Sequence, residues 1–176
     1  NGVRIRRFKS ERERERKRFD GLTSRILQKQ MRTSQLEKEW VEEQGPYCPA
    51  LIDYIVEHEC EYAVFIFVTY LYYFTAVGMP HVAEKSILIP TAHDEPFLQF
   101  DIYKNVFQCP KAYVFLTDEE QQLVCDRFKV ENKFWRQAAV GIDIPEDINS
   151  ERFRQKYGIE DPFMIYVGRI DEGKNC

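Results

Sequence analysis

The residues best suited to chemistry sit where an apolar run ends. Ser86-Ile87-Leu88-Ile89 gives way at Pro90 to Thr91-Ala92-His93-Asp94-Glu95-Pro96. The four leading residues read as a buried strand, and the polarity then flips at once. In an open α/β sheet, ligands bind in the crevice outside the carboxyl ends of the strands, so a tip of this kind is where a site is expected. An imidazole with an ordinary pKa of about 6.5 can donate or accept a proton at working pH, which singles out His93. Its plainer alternative is a structural hydrogen bond at a strand end. Asp94 and Glu95 are next neighbours and do not point the same way, which argues against a two-carboxylate hydrolase. Both are expected to favour the helix that starts near Pro96.

A second tip follows Phe163-Met164-Ile165-Tyr166-Val167, where the chain continues Gly168-Arg169-Ile170-Asp171-Glu172-Gly173-Lys174-Asn175. The spacing fits G-x-x-x-x-G-K, most of a P-loop. Asn175 stands where a Ser or Thr should hold magnesium, and Asp171 and Glu172 would repel a phosphate. The cations offer another role. Arg169 and Lys174 flank one turn and could both reach a diphosphate, Arg with its planar fork and Lys as a point charge. Such a pair can offset the charge that grows on a leaving nucleotide. A solvated Arg and Lys beside acidic neighbours is the plain alternative.

The elements that would carry these tips follow from periodicity. Residues 3–8 alternate apolar and basic, as a short strand with one wet face does. Residues 10–18 are mostly Arg and Glu of alternating sign, expected as a solvated helix or loop. Residues 20–44 read as one long helix with Leu22, Ile26, Leu27, Met31, Leu36 and Trp40 on a loose stripe, stopped by Gly45-Pro46. A second helix is expected over 47–61. Within it His58-Glu59-Cys60-Glu61 lacks the second His of a metal-binding helix. Residues 63–68 are six apolar residues in a row, expected as a strand buried on both faces. A tyrosine-rich helix over 71–77 should follow. Further strands are expected at 86–90, 112–116, 134–140 and 163–167, and helices at 97–107, 118–128 and 149–157. Pro96 suits a first helical turn, and Thr117 with Glu120 three residues on is a capping box. Asp143, in Gly141-Ile142-Asp143, is expected in a turn.

Strand and helix alternate from about residue 62 with short connections. This predicts an α/β fold, a Rossmann-like parallel sheet with helices on both faces. The best domain boundary lies between Val140 and Ser150.

Composition narrows the function classes. The chain has 176 residues, 44% of them apolar, and a net charge of −4. That charge offers no global field for nucleic acid or acidic lipid. Cys48, Cys60, Cys109, Cys125 and Cys176 show no C-x-x-C spacing, so reduced thiols in a cytoplasmic setting are expected. The longest apolar run, residues 62–77, falls short of the roughly 18 residues of a membrane span. The chain opens without Met and ends on what reads as the start of a new unit, so an internal piece of a longer protein is expected.

Three motifs in order carry a family resemblance: Tyr113-Val114-Phe115-Leu116-Thr117 before a capped helix, Val140-Gly141-Ile142-Asp143, and Tyr166-Val167-Gly168-Arg169-Ile170-Asp171-Glu172-Gly173-Lys174-Asn175. Together residues 62–176 resemble the group-1 (GT4-type) retaining glycosyltransferases of the GT-B fold. In that family Val140 stands where Asn is usual. The resemblance implies that residues 1–145 are an incomplete N-terminal, acceptor-side Rossmann-like domain. Residues 146–176 would then be the hinge and first strand of a truncated C-terminal, donor-nucleotide domain. It implies a hexosyltransferase-type enzyme of polysaccharide biosynthesis that moves a sugar from a nucleoside diphosphate sugar to a glycan or lipid-linked acceptor with retention. Gly168, Arg169 and Lys174 would bind the donor diphosphate. His93 would face the donor sugar near the reacting carbon, and Thr91 and Asp94 would contact the sugar or line the cleft. No cofactor or obligatory metal is implied, in keeping with the missing D-x-D triplet, and no nucleic-acid partner. Contact with a membrane surface stays open, without positive support from the charges. The piece alone is expected to be inactive. The alternatives are a non-catalytic α/β binding or scaffolding module, which would bind no nucleotide, and a P-loop protein, whose binding would need magnesium.

Overall fold

The computed structural model describes residues 2–168 and 170. They fall into one unit that ends at Val140 and a second that begins at Gly141.

The first unit is α/β. Four strands, β1 (Phe65–Val68), β2 (Ser86–Ile89), β3 (Ala112–Phe115) and β4 (Phe134–Gln137), form a sheet in sequential order. Every pairing is parallel. All four carboxyl ends therefore lie along one edge, and helices flank the sheet, consistent with a Rossmann-like fold. The ladder continues past the strands, since the Thr69 N–H donates to the Ile89 carbonyl at 2.8 Å and the Ala138 N–H to the Phe115 carbonyl at 2.9 Å.

The two faces of the sheet are unequally covered. Phe67, Leu88, Tyr113 and Phe115 are buried in the core. The register sets Ile66, Ile87, Ala112 and Phe134 in one row of the opposite face, where Ile66 and Phe134 are each 60% exposed. The expectation that β1 is buried on both faces is corrected here. As an outer strand of this sheet, β1 has a neighbour on one side only among the described residues, and Ile66 and Val68 stay open.

The expected single helix over 20–44 is two helices, α1 (Arg16–Ile26) and α2 (Ser34–Gln44). Between them lies a 3₁₀ turn at Lys29–Met31. Thr33 starts α2 by accepting the Leu36 N–H at 3.2 Å, a Thr N-cap that ends one helix pattern and begins another. The break folds α1 back on α2. Trp40, fully buried, then donates its indole N–H to Thr23 at 2.9 Å and packs against Phe19, Phe97 and Phe100. α2 stops at Gly45, whose φ of +62° suits glycine.

The charged block 10–18 is not simply solvated. Arg12 pairs with Glu42 at 3.0 Å over the Tyr47 ring, and Arg14 donates to the Gln44 carbonyl at 2.5 Å. Glu43, buried, accepts the Glu15 N–H at 2.9 Å and lies 3.4 Å from Arg18. The alternating signs thus clasp the end of α2. Residues 3–8 form no strand, because no strand among the described residues pairs with them.

α3 (Pro49–Glu57) stands where the second helix was expected. The tyrosine-rich segment is a π turn at Phe74–Gly78 that runs into a 3₁₀ stretch, Met79–Lys85. The packing is tight at Gly78, where a Cβ would lie 3.1 Å from the Ile52 side chain and 3.3 Å from that of Ile55. After β2 comes a 3₁₀ turn at Pro96–Gln99 and then α4 (Asp101–Gln108). α5 (Asp118–Phe128) follows β3, and its Phe128 stacks on Phe107 at 4.0 Å.

The second unit holds α6 (Ser150–Tyr157), capped by Asn149 and closed by Gly158 at φ +65°. Arg154 donates to the carbonyls of Ile159, Glu160 and Asp161, and Phe153 stacks on Phe163. The strand expected at 163–167 is not formed. A strand needs a ladder partner, and none stands beside this segment among the described residues.

Candidate functional site

The carboxyl edge of the sheet carries a pocket of about 430 Å³ between the tips of β2 and β3. Thr91, His93 and Asp94 line it from the β2 side, and Thr117, Glu119 and Leu123 from the β3–α5 side. Its size falls within the range of small-molecule sites, roughly 300–1,000 Å³. The three N-terminal candidates from the sequence are thus brought together at one pocket.

Each side chain has a distinct setting. His93 is exposed and makes no side-chain hydrogen bond or ion pair among the described residues, so its ring is available to a ligand. Asp94 is exposed and lies 3.7 Å from Arg127 of α5. Glu95 does not cap the turn that follows it. Its carboxylate accepts the Tyr70 hydroxyl at 2.6 Å, and no side-chain bond caps Pro96–Gln99. A largely buried phenol needs an acceptor, and Glu95 supplies it. Burial and the Glu95 charge together push the Tyr70 hydroxyl far above the usual tyrosine range. The helix-end role expected for this acidic pair passes to a residue distant in sequence. Glu37 of α2, 2% exposed, accepts the N–H groups of Asp101 and Ile102 at 2.9 and 2.8 Å and so caps α4.

The tips are also strained. Thr69 and Thr91, which end or follow β1 and β2, have φ of +65° and +51°. β-branched residues adopt this left-handed region rarely and at a cost of about 1–3 kcal/mol each. Two such residues at adjacent tips of one sheet edge mark a backbone shaped by its surroundings. No signal in the sequence announces them, since threonine is a poor choice for positive φ.

Glu120 is the residue whose role the sequence showed only in part. Thr117 caps α5 as expected, accepting the Glu120 N–H at 3.1 Å. In a capping box the Glu would reach back to the cap residue's own N–H. Here its carboxylate, 6% exposed, accepts the Leu116 N–H at 2.7 Å through one oxygen and the Ala92 N–H at 2.7 Å through the other.

Gly168 is exposed in the second unit, where a Cβ would meet the Tyr166 hydroxyl at 2.7 Å. Arg169 and Lys174 lie outside the described residues. Among the described residues no three His, Cys, Asp or Glu side chains are grouped to hold a metal ion, and no helix is long and apolar enough to cross a membrane.

No family model, curated protein or solved structure matches the chain.

Proposed function

We propose that the chain belongs to a retaining glycosyltransferase of GT-B type, with a nucleoside diphosphate sugar as donor and a glycan or lipid-linked molecule as acceptor. One observation carries the reading. His93, without a side-chain partner among the described residues, stands with Thr91 and Asp94 on a pocket at the carboxyl edge of a parallel sheet. That is where α/β folds bind their ligands. The ordered motifs from Tyr113 to Asn175 lend it sequence support.

In this proposal His93 hydrogen-bonds the donor sugar beside its anomeric carbon. Thr91 offers a hydroxyl and Asp94 a carboxylate to sugar hydroxyls. The bond from the anomeric carbon to the diphosphate breaks, a bond to the acceptor hydroxyl oxygen forms on the same face, and the hydroxyl proton passes to the departing diphosphate oxygen. Arg169 and Lys174, with the backbone at Gly168, meet the charge on the departing diphosphate. No metal is assigned a part, and the setting is cytoplasmic, with or without peripheral contact to a membrane.

The test is transfer from radiolabelled UDP- and GDP-sugars by the intact protein and its variants. His93→Ala should lower kcat by about 100-fold, and Arg169→Ala or Lys174→Ala by a similar factor, the usual loss of one electrostatic contact. Near-normal transfer by these variants would remove their roles. Absence of nucleotide-sugar binding by the folded protein would favour a non-catalytic module.

A further inference from the structure

We propose that Glu120 is the positioning residue of the pocket, a staple that holds the His93 segment to the tip of β3. The role as it bears on transfer rests on the glycosyltransferase reading; the staple itself does not.

The argument starts from what a buried carboxylate needs. An ionised carboxyl group taken out of water must be matched by donors. Glu120 has three elements of the site within reach. One oxygen takes the Leu116 N–H of the β3 tip, and the other takes the Ala92 N–H of the β2 tip, 28 residues away in sequence. Its own N–H is held by Thr117. Both carboxylate bonds are 2.7 Å, in the short range of charge-assisted hydrogen bonds.

Ala92 lies between the two residues that matter. Thr91 precedes it with φ +51°, a conformation that persists only where the surroundings over-determine it, and His93 follows it. No other side chain among the described residues bonds the backbone N–H of Ala92. Glu120 therefore fixes the peptide that links the strained Thr91 to His93. Leu88 and Tyr113, paired in register within the strands, set the strand spacing but not this loop. A neutral Gln at 120 would keep the shape but carry only one acceptor oxygen, so one of the two N–H groups would face an NH₂ group.

The experiment compares Glu120→Gln with Phe128→Leu, which loosens the same helix α5 outside the pocket lining by thinning its stack on Phe107. The chain has three histidines, so ring signals of ¹³C-labelled His58, His81 and His93 can be followed separately. Glu120→Gln should move the His93 signal and speed hydrogen exchange at Ala92, with His58 and His81 unmoved. Transfer should fall by about 10–100-fold in kcat with little change in KM, as expected for a displaced group. Phe128→Leu should lower Tm without moving His93 or kcat. Should Glu120→Gln fail to fold, Glu120→Asp, which reaches one N–H at most, is read the same way. An unmoved His93 signal in a folded variant, or equal kcat losses in Glu120→Gln and Phe128→Leu, would overturn the proposal. If the wild-type protein transfers no sugar, the glycosyltransferase reading fails. The ring signals and Ala92 exchange then still decide the staple.

Discussion

Removal of the Glu37 carboxylate tests the structural logic of this fold in quantitative form. Glu37 sits on α2, is 2% exposed and caps α4 through the N–H groups of Asp101 and Ile102. Glu37→Ala leaves both donors without their acceptor. Each buried donor so orphaned costs about 1–3 kcal/mol. Asp101 is exposed and Ile102 half-buried, so water can replace part of the loss. The expected cost is about 2–4 kcal/mol, toward the lower half of the two-donor sum. Glu37→Gln keeps one acceptor oxygen and should cost about half as much. With a urea slope of about 2 kcal/mol per M, Glu37→Ala should lower the unfolding midpoint by about 1–2 M. Urea titration followed by circular dichroism reads this directly. A change below about 0.5 kcal/mol for Glu37→Ala would refute the claim that a buried glutamate holds α4 to α2.

Three further outcomes follow from the same structure. Trp40→Ala should destabilise by about 3–5 kcal/mol in thermal or urea unfolding, because it empties a fully buried site and removes the indole donor to Thr23. Burial pushes the Cys109 thiol up to about 11 and the Tyr73 hydroxyl up to about 12. Between the unfolded and folded pKa values the folded state binds more protons, so their stabilisation is complete below the unfolded values and is lost as pH rises to about 11–12, which an alkaline Tm series should show. Cys60, exposed, should alkylate at pH 8 well before Cys109, as mass spectrometry of timed iodoacetamide reactions can follow.

The local features of this chain were legible in its residues. Runs such as Ser86-Ile87-Leu88-Ile89 and Ala112-Tyr113-Val114-Phe115 became strands because period and flanking turns agree over a short stretch. Thr117 marked a helix start by side-chain chemistry that acts within a few residues. Thr91, His93 and Asp94 share a pocket because they are neighbours on one strand tip, which the parallel sheet sets beside the tip of β3. What stayed hidden was long-range. Glu120 bonds a residue 28 positions away, and Glu37 caps a helix 64 and 65 positions away. In the sequence Glu37 looks like an ordinary surface glutamate, and Glu120 like the Glu of a local capping box. The break between α1 and α2 was hidden for a different reason. The apolar stripe of Leu22, Ile26, Leu27, Met31, Leu36 and Trp40 reads as one helix, but Leu27 and Met31 fall at the break and are exposed, while the other four are buried by two helices folded together. Residues 163–167 failed as a strand because strand propensity without a partner makes no ladder.

The most direct test of the function is calorimetric titration of the intact protein with UDP- and GDP-sugars in the absence of magnesium, repeated with His93→Asn. The proposal predicts saturable binding of at least one nucleoside diphosphate sugar without the metal, weakened by the His93 substitution. A folded protein that binds none of them, or binds one only with magnesium and indifferently to His93, would contradict it.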